Sequence, residues 1–205
     1  LVHRRLYLME SGKSGTRWAL FGHPSAATKA LSEALSAPVA TEVDSELSAA
    51  IFAINASSGI DQRTIDQWHE FDELLMPRII VVTGFNEGLQ DFDDAVLIAR
   101  RVLDEVSTPY LVLHDDDGSP CALIDLESMK INNYRTGNIT DAEPEHLDLV
   151  NDFREEYLAQ KEAAGEDGFT SGIFFPAIPV LLNDPEFNLG VDIVKKYLEK
   201  LPSLS

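Results

Sequence analysis

Gly22, His23, Pro24, Ser25, Ala26, Ala27, Thr28 and Lys29 follow a short apolar run and precede a segment with apolar residues at helical spacing. A phosphate-cradling loop stands in that place: glycines let backbone amides converge on the phosphates, a lysine reaches their oxygens, and a hydroxyl holds magnesium. Set against the pattern G-x-x-x-x-G-K-S/T from Gly22 onward, the last three places hold Ala27, Thr28 and Lys29. The lysine comes one residue late, which on a helix turns its side chain by about 100° from the direction the chemistry needs. The loop keeps the frame of a phosphate site without its cationic grip. Gly12, Lys13 and Ser14 do not replace it, because the first glycine of the pattern would then fall on Tyr7 and no helical pattern follows.

Other chemistry-bearing residues point to no metal site and no catalytic residue. His69 and His114 have no second ligand at metal spacing. Asp115, Asp116 and Asp117 lack the spaced oxygens and terminal glutamate of a calcium loop, so they read as an acidic turn. Cys121 is the single cysteine, which excludes an internal disulfide or a cysteine zinc cluster and fits a reducing cytosol. The chain carries 16 Lys plus Arg against 35 Asp plus Glu, a formal charge of −19. Such a surface repels phosphate backbones, so direct nucleic-acid binding is not expected. No apolar run is of membrane length, since the stretch from Ile173 to Leu182 is broken by Pro176 and Pro179.

The elements that must hold these residues alternate. Arg17 to Phe21 reads as a strand, Ala26 to Leu35 as a helix, and the continuous apolar run Ala49 to Asn55 as a strand buried on both faces. Asp61 to Leu75 follows as a helix capped by Asp61, with Asp72 as a mismatch on its apolar face. Arg78 to Val82 is a third strand, and Ala95, Ala99, Val102 and Val106 mark a helix from Phe92 to Val106. Strand and helix alternation predicts a doubly wound α/β fold, a mostly parallel sheet with helices on both faces. After Ser107 the pattern changes to two short strands, Tyr110 to His114 and Cys121 to Leu126, around the acidic turn. A helix from Pro144 to Ala163 follows, its stripe of Leu147, Val150, Phe153 and Tyr157 read as core. A strand from Ala177 to Leu182 and a helix from Val191 to Leu201 close the chain. The expected organisation is a flexible lead-in over 1–16, a core over 17–106 and 173–202, and a small α+β inserted subdomain over 107–172.

Five stretches, in order, resemble the nucleotide-binding domain of elongation factor G-type translation GTPases. Gly22, His23, Ala26, Leu31, Glu33, Ala34 and Leu35 match that family's G-H-V-D-A-G-K-T-T-L-T-E-A-L in register. Gly59, Gln62, Thr64 and Trp68 fall on its V-V-V-x-A-x-x-G-V-x-x-Q-T-x-x-x-W. Met76 to Ile79, Gly118 to Lys130 with its Ile-Asp-Leu core, and Gly190-Val191 with the exit at Lys200 to Ser203 continue the likeness.

The resemblance implies a P-loop NTPase-like domain, a ribosome or other translation component as partner, and a cytoplasmic setting. It also shows what has changed. Where the family reads guanine with N-K-x-D, this chain has Thr83, Gly84, Phe85 and Asn86, and Asn86 keeps the shape of an aspartate without its charge. Where the family usually carries Ser-Ala behind the base, Asp184 and Pro185 stand. Between the first helix and the Ala49 strand, the segment from Pro38 to Ser48 contains no D-x-x-G, the family's sensor of magnesium and γ-phosphate. Losing the lysine and the guanine carboxylate removes two charge-assisted interactions of roughly 1.5–3 kcal/mol each. The resemblance thus leads to a pseudo-GTPase, a scaffold or binding module with no cofactor expected. The alternative is a GTPase with a rebuilt site, in which Lys29 or Lys13 takes the lost role and GTP or GDP binds with magnesium.

Overall fold

The computed structural model describes residues 17–87, 89–182 and 187–202. The lead-in over 1–16, with Lys13, and the pair Asp184 and Pro185 lie outside the described residues.

The main sheet is parallel, in the order β1 (Trp18–Gly22), β2 (Ala49–Asn55), β3 (Arg78–Thr83), β9 (Phe175–Pro179) and β4 (Val106–Ser107). Every residue of β2 and β3 is buried. Successive strand residues point to opposite faces, so both faces of the sheet are covered. The cover includes α1 (Thr28–Leu35), α2 (Gln62–Glu70), α3 (Phe92–Val102) and α5 (Val191–Leu198), with α1 against α5. Asp61 caps α2, its carboxylate accepting from the Thr64 N–H (3.3 Å) and the Thr64 hydroxyl. Asp91 and Asp94 form a reciprocal capping box at the start of α3.

The predicted helix to Val106 ends earlier, because the chain turns at Leu103 and the Asp104 carboxylate takes the Glu105 N–H (2.7 Å). Val106 then pairs with Phe175 as edge strand β4, and its burial there continued the helical stripe by coincidence. At the opposite edge, β1 meets only a short bridge, with the Leu20 N–H donating to Pro38 O (2.9 Å) and Ala40 N–H to Leu20 O (2.8 Å).

At the start of β3, Arg78 is 2% exposed. Its guanidinium lies against the Trp68 and Phe175 rings, 4.5 Å from each centroid, the rings meeting each other edge-on at 5.2 Å, and it donates to Trp68 O (2.7 Å) and Asp72 Oδ1 (2.6 Å). Asp72, a misfit on an apolar face when read from sequence, is the counter-ion of this buried cation. His69 completes the group, with Nδ1 3.0 Å from Asp72 Oδ2 and Nε2 3.1 Å from Val102 O.

Between β4 and β9 in the chain comes a second, antiparallel sheet of four strands, β5 (Tyr110–His114), β6 (Pro120–Asp125), β7 (Lys130–Asn133) and β8 (Asn138–Asp141). Two were predicted; β7 and β8 are additions, polar strands joined by a turn in which the Gly137 N–H donates to Asn133 O (2.8 Å). Cys121 is buried in β6, its thiol set toward Leu113 O (3.7 Å) and pushed up to about 11 by burial and by Asp115. The long helix α4 (Pro144–Ala164) corrects another expectation: Val150 and Tyr157 are buried, whereas Leu147 and Phe153 are 42% and 39% exposed. Tyr134 reaches from the second sheet to α5, its hydroxyl donating to Asp192 Oδ1 (2.7 Å). Buried apolar residues of both sheets form one continuous cluster.

Candidate functional site

Among the described residues, the two segments singled out by sequence, Gly22 to Lys29 and Thr83 to Asn86, follow the C-terminal ends of β1 and β3, on either side of β2, where open parallel sheets bind ligands. Gly22 ends β1 with φ +143°, and a side chain there would strike Ala53 O on β2. Glycine is therefore required by strand packing alone. The chain then makes a tight 3-10 turn, Pro24–Ala26, and Ala27 takes a left-handed conformation before α1 begins at Thr28.

This turn uses its own amides. The Ser25 N–H donates to His23 Nδ1 (3.1 Å), Ala26 N–H to His23 O (2.9 Å) and Ala27 N–H to Pro24 O (3.1 Å), while Pro24 has no N–H to offer. A phosphate cradle needs such amides unspent and converging on one point. Thr28 and Ala26 are buried, and Lys29 is exposed on a helix whose inward face is Thr28, Leu31 and Leu35.

The residue that sequence reasoning missed is Asn55, the buried last residue of β2. Its Nδ2 donates to Ser25 O (2.7 Å), and its Oδ1 accepts from the N–H groups of Ser57 (2.8 Å) and Ser58 (3.1 Å). Gly84, with φ +70°, lies so close that any side chain there would collide with the Asn55 amide. Ser57 Oγ donates to Gly84 O (3.0 Å). One amide thus ties the turn after β1 to the loop after β2 and presses on the loop after β3. The sequence signal available was a polar residue closing an otherwise apolar run.

The expected base-reading segment is turned mostly inward. Thr83 is buried with Oγ1 3.4 Å from Ile54 O, Gly84 is buried, and Phe85 packs edge-on to Phe92 with centroids 6.5 Å apart. Asn86 alone of the four is exposed. Among the described residues no cluster of three or more His, Cys, Asp or Glu is arranged to hold a metal ion. No described helix is long and apolar enough to cross a membrane.

The fold is a mixed α/β domain with a parallel main sheet and a second antiparallel sheet, and it has known counterparts. No family model matches the chain. It is 26% identical over 157 residues to proteins described as elongation factor G-like from two strains of Mycobacterium tuberculosis, covering 64% of this chain. The chain spans about a fifth, 21%, of the length of these relatives. A crystal structure of a protein from Thermus thermophilus superposes with a TM-score of 0.61 over 77% of this chain and 27% of its own, at 24% identity. Sequence and shape together make this a chain with an elongation factor G-related fold.

Proposed function

We propose that this chain is a translation factor-related domain that serves as a scaffold or binding module, its nucleotide site closed by its own hydrogen bonds. The observation carrying this reading is the Asn55 clamp, together with the amides of Ser25, Ala26 and Ala27 spent inside their own turn. A triphosphate entering there would have to break these bonds without a lysine or a guanine carboxylate to compensate. By likeness to the elongation factor G-like relatives, the partner is the ribosome or another component of the translation machinery, in a cytoplasmic setting. The test is thermal unfolding of the purified domain with and without millimolar GTP or GDP and magnesium. A midpoint unchanged within about 1 °C fits the proposal; a rise of several degrees overturns it, since ligand binding to the native state raises the midpoint.

A second reading, a GTPase with a rebuilt site, has one observation in its favour: α1 starts without a capping side chain, with Lys29 exposed in its first turn. Magnesium-dependent phosphate release that disappears in Lys29→Ala would establish it in place of the first.

A further inference from the structure

At the other edge of the main sheet, beside β4, a cavity of about 250 Å³ opens between the α3–β4 turn and the C-terminal half of α4. Its polar wall is Asp104, Glu105, Ser107 and Gln160, and its apolar wall includes Ile173 and Phe174. Two of these residues stand out. Ser107 is 1% exposed and its Oγ has no hydrogen-bond partner; Gln160 Oε1 is likewise buried and unpartnered. Buried polar atoms are nearly always satisfied, so two orphans lining one cavity ask for donors from outside the chain.

The chemistry of the wall says what kind. Ser107 can accept through its lone pairs, the Gln160 Oε1 is an acceptor, and Asp104 and Glu105 bring two carboxylates; none of the described residues lining the cavity is basic. The Glu105 carboxylate is held only loosely from within, by Gln160 Nε2 at 3.4 Å. A chain of formal charge −19 draws cations to it. The volume is below the roughly 300–1,000 Å³ of pockets that take drug-sized ligands, and suits one side chain or a small amine.

We propose that this cavity is a binding site for an alkylguanidinium group, the planar cation engaging the Asp104 and Glu105 carboxylates and the orphaned oxygens of Ser107 and Gln160, its methylene stem lying on Ile173 and Phe174. A guanidinium presents five N–H donors in a fixed plane, more than an ammonium can direct at separate acceptors. The group has two sources, a free small molecule or an arginine side chain of a peptide.

The probes are agmatine and acetyl-arginine amide, titrated into the full chain and followed by amide NMR shifts of residues 104–107, 160–164 and 173–175. Butylurea, of similar shape but uncharged, is the control. Saturable shifts with agmatine at millimolar concentration, absent with butylurea, are expected; stronger binding of acetyl-arginine amide would assign the site to a protein partner, and stronger binding of agmatine to a small molecule. Glu105→Gln, at an exposed position, is expected to weaken binding about tenfold by removing a charge-assisted hydrogen bond. Ser107→Ala is expected to raise the unfolding midpoint of the free protein, by removing an unsatisfied hydroxyl, while weakening agmatine binding. No saturable shift, equal binding of butylurea, or agmatine shifts indifferent to Glu105→Gln would overturn the proposal, and the cavity would then hold water alone.

Discussion

The two ends of β3 handle polar groups in opposite ways. At its start a full positive charge is buried against two aromatic rings, with a carboxylate and a carbonyl as partners. Beside its end, where the resemblance leads one to look for charges that grip a nucleotide, the neutral amide of Asn55 on β2 ties two loops together and abuts a third. At one end of the strand charge organises the core, and at the other a neutral side chain takes the organising role.

The largest effect should come from the Arg78 end. Arg78→Ala removes the cation from against the two rings and one of two donors to Trp68 O, the Phe71 N–H (3.2 Å) remaining, and should cost about 3–5 kcal/mol in urea unfolding. Arg78→Met, which keeps an apolar stem against the rings, should lose much less, since Asp72 is half-exposed and can be rehydrated. Equal losses in the two variants would show that charge, rather than filled volume, matters there.

Asn55→Ala comes next, at about 1–3 kcal/mol for the hydrogen bonds lost. It should bring no measurable GDP affinity, because opening the turn restores amides but no cation. Nucleotide binding gained by this variant would break the contrast between the two ends. Asn55→Asp keeps acceptors for Ser57 and Ser58 but sets a buried carboxylate oxygen against Ser25 O, so it should cost at least as much as alanine, and less at acid pH where the carboxyl is protonated.

The smallest effect is a pH dependence at the Arg78 end. The Asp72 hydrogen bond raises the His69 pKa above its usual 6.5, against a smaller opposing effect of burial. Its contribution to stability is therefore full below about pH 6.5 and fades as pH rises through the folded value. For Asp72 burial works upward, but the hydrogen bonds from His69 and Arg78 together outweigh it and lower the pKa. That contribution is present above the unfolded carboxylate value and is lost as pH falls through the folded one. Both side chains are nearly half-exposed, so the slopes should be slight. His69→Gln should flatten the neutral-pH slope of the unfolding midpoint and shrink the acid limb to the part that Arg78 sustains.

Strands β2 and β3 were legible because a sheet covered on both faces demands unbroken apolar runs, and Ala49 to Asn55 and Arg78 to Val82 supply them. Strands β7 and β8 were not, since each has one apolar residue, Ile131 or Ile139, and β8 is exposed throughout. The end of α3 was overrun because periodicity registers burial and not backbone direction, and Val106 is buried in either state. The same blindness made Leu147 and Phe153 look like core. At the site, sequence placed Gly22 to Lys29 after the first strand and Thr83 to Asn86 at the end of the third, from the apolar runs that precede them. It could not show that the turn consumes its amides, which depends on the left-handed Ala27 and on a strand-end asparagine whose role is set by a segment 30 residues away.

Cys121 gives the second sheet a reporter of its own. With the thiol covered in β6 and held protonated at neutral pH, alkylating reagents can reach it only when the strands part. As the chain has no other cysteine, labelling by a single maleimide would time that local opening in the native protein, with no background from the parallel sheet and no mutation needed.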